Sequence, residues 1–117
     1  MKPKNATNTT SGTTTPDLVL VVDDDLDFCK LMTDWLSAGG IPCISANSVA
    51  KAIAILKTKK IVLTLLDWAL DKSGVEVLRF CKANHPLMPV IAMSGQPFDA
   101  RTDALTGQAD GFLDKTS

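Results

Sequence analysis

Five polar residues stand at the carboxyl ends of short apolar runs, and their types fit one another. Asp23 and Asp24 follow LVLVV, Asp67 follows IVLTLL, Ser94 follows PVIAM, and Lys115 closely follows GFL. The set is three carboxylates, one hydroxyl and one ammonium. Carboxylates crowded together raise one another's pKa unless a cation offsets them. A few oxygen ligands on a rim open to water suit Mg²⁺, which keeps several waters and shares phosphate oxygens. Ser94 and Lys115 then fit as hydrogen-bond donor and counter-charge for phosphoryl oxygens. Asp67 is left as a possible nucleophile, because carboxylates form aspartyl phosphates.

These residues need elements to bring them together. Leu18–Val22 is a β-branched-rich run and is expected to be a buried strand. Asp25 to Ala38 carries Phe28, Leu31/Met32 and Trp35/Leu36 as a helical stripe, with Trp35 read as a packing residue, and Gly39-Gly40 stops the helix. Ile41–Ser45 is expected as strand two. Ser48 caps a helix to about Lys57, with Val49, Ile53 and Leu56 inward. Ile61–Leu66 is strand three. Gly74 to Asn84 is a helix with Val75, Leu78 and Cys81/Lys82 inward, ended by His85-Pro86. Pro89–Met93 is strand four, Asp99 to about Thr106 a short helix, and Gly111–Leu113 strand five.

This alternation specifies an α/β fold, a doubly wound parallel sheet with helices on both faces. In such sheets ligands bind in the crevice outside the carboxyl ends of the strands, which is where all five residues fall. The domain is expected to span 17–117, after a Thr/Asn-rich disordered tail over 1–16. A doubly wound domain normally adds a helix after strand five. The sequence given ends at Ser117, so one sheet face is expected to lie open, available to a partner or to a second copy in a homodimer.

Composition narrows the function further. The net charge is -1 and 45% of residues are hydrophobic, with no basic excess to suggest direct nucleic-acid binding. Twelve of the thirteen acidic residues are Asp, a cap, turn and metal-ligand residue rather than a helix-interior one. Cys29, Cys43 and Cys81 are unclustered and read as reduced core thiols. No apolar run approaches the roughly 18 residues needed to cross a membrane. The expectation is a cytoplasmic chain with no membrane partner.

The order VVDDD, LLDW, MSG, FLDK resembles the receiver domain of two-component response regulators, over Asp17 to Lys115. The resemblance implies a flavodoxin-like sheet of order 2-1-3-4-5. It implies that Asp67 is the phospho-acceptor, supplied by a sensor histidine kinase or a histidine phosphotransfer protein. Asp24 would be a direct Mg²⁺ ligand, Asp23 a second acid acting directly or through water, and the Ala69 carbonyl a third protein ligand. Lys115 would pair with the phosphoryl group. Ser94 and Phe112 would be the switch residues, acting on an output protein that the sequence does not name. Such a domain catalyses its own phosphorylation and hydrolysis without being an enzyme in the usual sense. Asp71 and Thr116 stand where the family commonly has Pro, and Asp67–Gly74 is a residue shorter than usual.

Two other readings compete. A receiver-shaped module that binds a partner without phosphorylation would tolerate those departures. A dehalogenase-like phosphatase would use Asp23 as nucleophile in the pattern Asp23-x-Asp25, but a motif match needs its context. More plainly, Asp25 and Asp27 suit a helix start, where they cap and complement the dipole. Phe112 by itself reads as a core residue.

Overall fold

The computed structural model describes residues 16–68, 74–95 and 109–115. Its elements run β1 (Leu18–Val22), α1 (Leu26–Ala38), β2 (Cys43–Ala46), α2 (Val49–Thr58), β3 (Ile61–Asp67), α3 (Gly74–Asn84), β4 (Val90–Ser94) and β5 (Gly111–Asp114). The strands form one parallel sheet in the order β2-β1-β3-β4-β5, as expected. The helix expected near Asp99 and the tail over 1–15 lie outside the described residues.

Each face of the sheet has its own core. Leu20, Val22, Leu66 and Val90 pack against Ala52 and Leu56 of α2 and Val77, Leu78 and Cys81 of α3. Val19, Val21, Leu65 and Met93 pack on the other face against Leu36, with Phe28 and Met32 beside them. Each large side chain buried this way contributes about 1.5–3 kcal/mol before entropy. Strand alternation sends neighbours of β1 to opposite faces, which is why every position of the run had to be apolar.

Among the described residues the helical cover of the second face comes from α1, and two expectations are corrected there. Along α1 only Cys29 and Leu36 are fully buried, while Leu31 and Trp35 are 64% and 69% exposed. Phe112 of β5 is also exposed, at 47%, and is not a core residue. α1 lies over one part of the face, so its buried stripe is narrower than its apolar stripe.

Boundaries shift for local reasons. α1 ends in a Schellman turn: Gly40 N–H donates to the Ser37 carbonyl at 3.0 Å and Ile41 N–H to the Leu36 carbonyl at 2.9 Å. Gly40 has φ 80°, which glycine adopts without strain. Ile41 is thus used by the cap, and β2 starts at Cys43 rather than Ile41. Pro89 has no N–H, but its carbonyl accepts from Thr64 N–H at 3.1 Å, so it abuts β4 without joining it. The inward positions of α2 and α3 also move: Ala52 is buried more fully than Ile53, and Val77 more fully than Val75.

Candidate functional site

Strand register builds the site. Val22 is level with Leu66, so the next residues, Asp23 and Asp67, stand side by side at the strand ends. Asp67 is level with Met93, placing Ser94 one step further along. Ser94 is level with Asp114, and Lys115 comes next. Backbone bonds continue the alignment past the strand ends. Asp23 N–H donates to the Ala46 carbonyl at 3.0 Å, Trp68 N–H to the Met93 carbonyl at 2.7 Å, and Lys115 N–H to the Ser94 carbonyl at 2.9 Å.

The three carboxylates converge. Asp23, Asp24 and Asp67 each offer an oxygen, and these lie within 4.8 Å of one another. Asp23 and Asp67 are buried and Asp24 is exposed, so the cluster has a closed inner wall and an open outer ligand. The Lys115 ammonium donates to Asp23 Oδ2 at 2.8 Å and lies 3.9 Å from an oxygen of Asp67. Burial alone would lower the Lys115 pKa. The hydrogen bond to Asp23 and the charges of Asp67, Asp23 and Asp25 outweigh it and hold the pKa above the ordinary lysine value. Three carboxylate oxygens gathered within 4.8 Å form an oxygen-ligand cluster that fits a hard divalent cation.

The helix start sits beside the site and is tied to it. Asp25 caps α1, accepting from Asp27 N–H at 3.0 Å and Phe28 N–H at 3.2 Å. The Asp25 N–H in turn donates to Asp23 Oδ1 at 2.9 Å. Asp23 is therefore held from one side by the helix start and from the other by Lys115. The plain reading of Asp25 as a helix cap is the one its hydrogen bonds match.

Of the expected residues, Asp23, Asp24, Asp67, Ser94 and Lys115 come together at the strand ends. Phe112 lies on β5, three residues before Lys115. Ala69, Asp71 and Thr116 lie outside the described residues. Sequence reasoning missed Phe28, whose ring centroid is 4.3 Å from the Lys115 ammonium. It was counted only as an apolar stripe position, and nothing local in the sequence pairs it with a lysine 87 positions away. Cys29 and Cys81 are buried thiols whose surroundings favour the protonated form. Cys81 is pushed up to about 11 by burial, against a hydrogen bond from Thr64 and the charge of Lys82. Cys29 is raised by burial and by the charge of Asp23. Among the described residues no helix is long and apolar enough to cross a membrane.

Comparison with known proteins agrees with this geometry. The response regulator receiver domain family matches residues 19–117. An NtrX-like response regulator of Rickettsia bellii is 33% identical over 102 residues, covering 83% of this chain and 21% of that protein, so the chain spans about a fifth of that relative's length. The receiver domain of NtrX from Brucella abortus superposes with a TM-score of 0.76 at 29% identity, over 85% of this chain and 86% of that one. The response regulator TrrA from Thermotoga maritima has the same fold, with a TM-score of 0.76 at 23% identity over 86% and 87% of the two chains. With its sheet order, its acidic strand ends and its match from Val19 to Ser117, the chain belongs to the response regulator receiver domain family.

Proposed function

We propose that this domain accepts a phosphoryl group on Asp67 from a sensor histidine kinase or a histidine phosphotransfer protein, in a Mg²⁺-dependent reaction, and passes the signal through a changed interaction surface. The observation that supports this best is the cluster of Asp23, Asp24 and Asp67 oxygens within 4.8 Å, faced by the Lys115 ammonium. TrrA was solved in complex with Mg(2+)-BeF. In this chain Asp23, Asp24 and Asp67, with the Ala69 carbonyl, would hold the metal. Bound Mg²⁺ supplies positive charge to the oxygens of the transferring group.

The chain's own residues do the rest. An Asp67 oxygen attacks the phosphorus of the donor's phosphohistidine. The O–P bond forms as the P–N bond breaks, and its electron pair returns to the imidazole. Lys115 neutralises charge on the transferred oxygens from a position already fixed beside Asp67, so little reorganisation is needed at the moment of transfer. Ser94 then moves toward the new phosphoryl group and Phe112 repacks, shifting the population between two surfaces. The module is cytoplasmic and releases no product of its own beyond hydrolysis of the aspartyl phosphate.

Intact-mass spectrometry with acetyl phosphate and Mg²⁺ tests this, beside Asp67→Ala. The expected result is a phosphoryl adduct that needs Mg²⁺ and is absent from the variant. A folded wild-type chain that binds Mg²⁺ but forms no adduct would overturn the proposal in favour of a phosphorylation-independent binding module.

A further inference from the structure

Lys115 is a long, flexible side chain at the end of an exposed edge strand. Such a side chain has about 2 kcal/mol of rotamer entropy to lose when it is fixed. Its backbone is anchored by the bond to the Ser94 carbonyl, and its tip by Asp23. Asp23 is also a member of the acidic cluster that would hold a metal. Whatever engages that carboxylate weakens its grip on the ammonium. The contact that no metal or phosphoryl group competes for is the ring of Phe28. The ammonium lies 4.3 Å from the ring centroid, inside the range of a cation–π interaction. The ring is held in turn: Phe28, in the first turn of α1, is partly buried and packs against the core cluster of Val19, Val21, Leu36, Leu65 and Met93.

We propose that Phe28 is a positioning residue that keeps Lys115 aimed at the acidic site when Asp23 is engaged elsewhere. Its place in catalysis rests on the phosphoryl-acceptor reading above, and two measurements separate the two ideas. The first does not need phosphorylation. The Lys115 ε-methylene resonances, assigned with Lys115→Met, should be shifted upfield by the ring. The shift should persist on adding Mg²⁺ and vanish in Phe28→Leu. A wild-type shift that collapses on adding Mg²⁺, or one unchanged in Phe28→Leu, would overturn the proposal whether or not an adduct forms.

The second measurement is the rate of adduct formation against acetyl phosphate concentration. Phe28→Leu keeps an apolar side chain and removes the ring. It should lower the saturating rate roughly three- to tenfold, the scale of a partly covered cation–π contact, while leaving Mg²⁺ affinity unchanged. Phe28→Tyr should restore most of the rate. In a Lys115→Met background the Phe28→Leu change should have no further effect on the rate. A purely packing role would give the same loss in both backgrounds, or a lower melting temperature with an unchanged rate, and either result would sink the assignment. Failure of the wild-type chain to form any adduct would instead strike the phosphoryl-acceptor reading, and the resonance shift would still decide where Phe28 holds the lysine.

Discussion

Two aspartate–lysine pairs flank β5, and both close at 2.8 Å. Before the strand, Lys82 of α3 reaches Asp110. After it, Lys115 reaches Asp23. Equal distances conceal different environments. At the first pair Lys82 is 27% and Asp110 44% exposed, and the Asp110 oxygen that takes Lys82 also accepts from Val90 N–H at 2.8 Å. Asp110 N–H donates back to the Val90 carbonyl at 2.8 Å. That carboxylate is met by the Lys82 ammonium and the Val90 N–H, so it serves as a clamp holding β5 to β4 and α3. At the second pair Asp23 is fully buried beside Asp67 and Asp24. There, among the described residues, the Lys115 ammonium meets the cluster at 2.8 Å from Asp23 and 3.9 Å from Asp67, and the gathered carboxylate oxygens suit a divalent cation. The clamp ties two strands and a helix together; the site gathers three carboxylates within reach of one ion.

Metal addition should break the symmetry most visibly. A ligand that binds only the folded state stabilises it by about 2.7 kcal/mol at a hundredfold excess over its Kd. For a domain of this size that is a rise in Tm of roughly ten degrees. Thermal unfolding in Mg²⁺ and in chelator should show the increment for the wild-type chain and for Asp110→Asn. Asp24→Ala should lose most of it, because the open outer ligand is gone. An increment retained in Asp24→Ala would place the ion elsewhere.

Next in size is the loss of Asp23 without metal. From sequence, Asp23 and Asp24 are not told apart in metal-free stability: removing either is expected to raise it or barely lower it, because like charges repel. The structure separates them. Asp23 accepts from Asp25 N–H and from Lys115, whereas Asp24 is exposed. Asp23→Ala should therefore destabilise the metal-free fold by about 1–3 kcal/mol, the cost of leaving such partners unsatisfied. Asp24→Ala should be neutral or slightly stabilising. Urea denaturation in chelator measures both. Equal stabilities for the two variants would mean that Asp23 does not anchor the start of α1.

The same contrast shows what could be read from the chain. Strand ends and the polar rim were legible because each rests on a local signal: an apolar run of strand length stopped by a charged or small polar residue; the sheet order came only through the resemblance to receiver domains. Asp25 as a cap was legible for the same reason. Leu31 and Trp35 were misplaced because periodicity reports which side of a helix is apolar, not how much of it a neighbour covers. Lys82 was counted in an inward stripe beside Cys81. It is drawn in by Asp110, 28 residues away, and a pairing at that range leaves no periodic trace. Phe28 under Lys115 is the same case across 87 residues. Long-range contacts between polar tips need the register of every intervening strand, and the sequence supplies only the strands.

The smallest expected effect is at the clamp. The Lys82 hydrogen bond, then the Val90 N–H, hold the Asp110 carboxyl below the usual aspartate range, against a weaker opposing effect of burial. A carboxylate whose pKa is lowered on folding adds stability that is complete above its unfolded pKa, near about 4. That contribution is lost as pH falls through the lower folded value. The pair is partly exposed and screened by solvent, so its worth is no more than about 1 kcal/mol. Asp110→Asn keeps an oxygen for Val90 N–H and removes the charge facing Lys82. It should cost less than Asp23→Ala at neutral pH. It should also flatten the part of the stability curve below about pH 4 that belongs to this group, read by urea denaturation from pH 6 down to pH 3. High salt should shrink the wild-type advantage over Asp110→Asn, because exposed pairs are screened. If Asp110→Asn instead cost as much as Asp23→Ala and showed no response to salt, the clamp would be behaving as a buried pair, and the distinction between the two ends of β5 would fall.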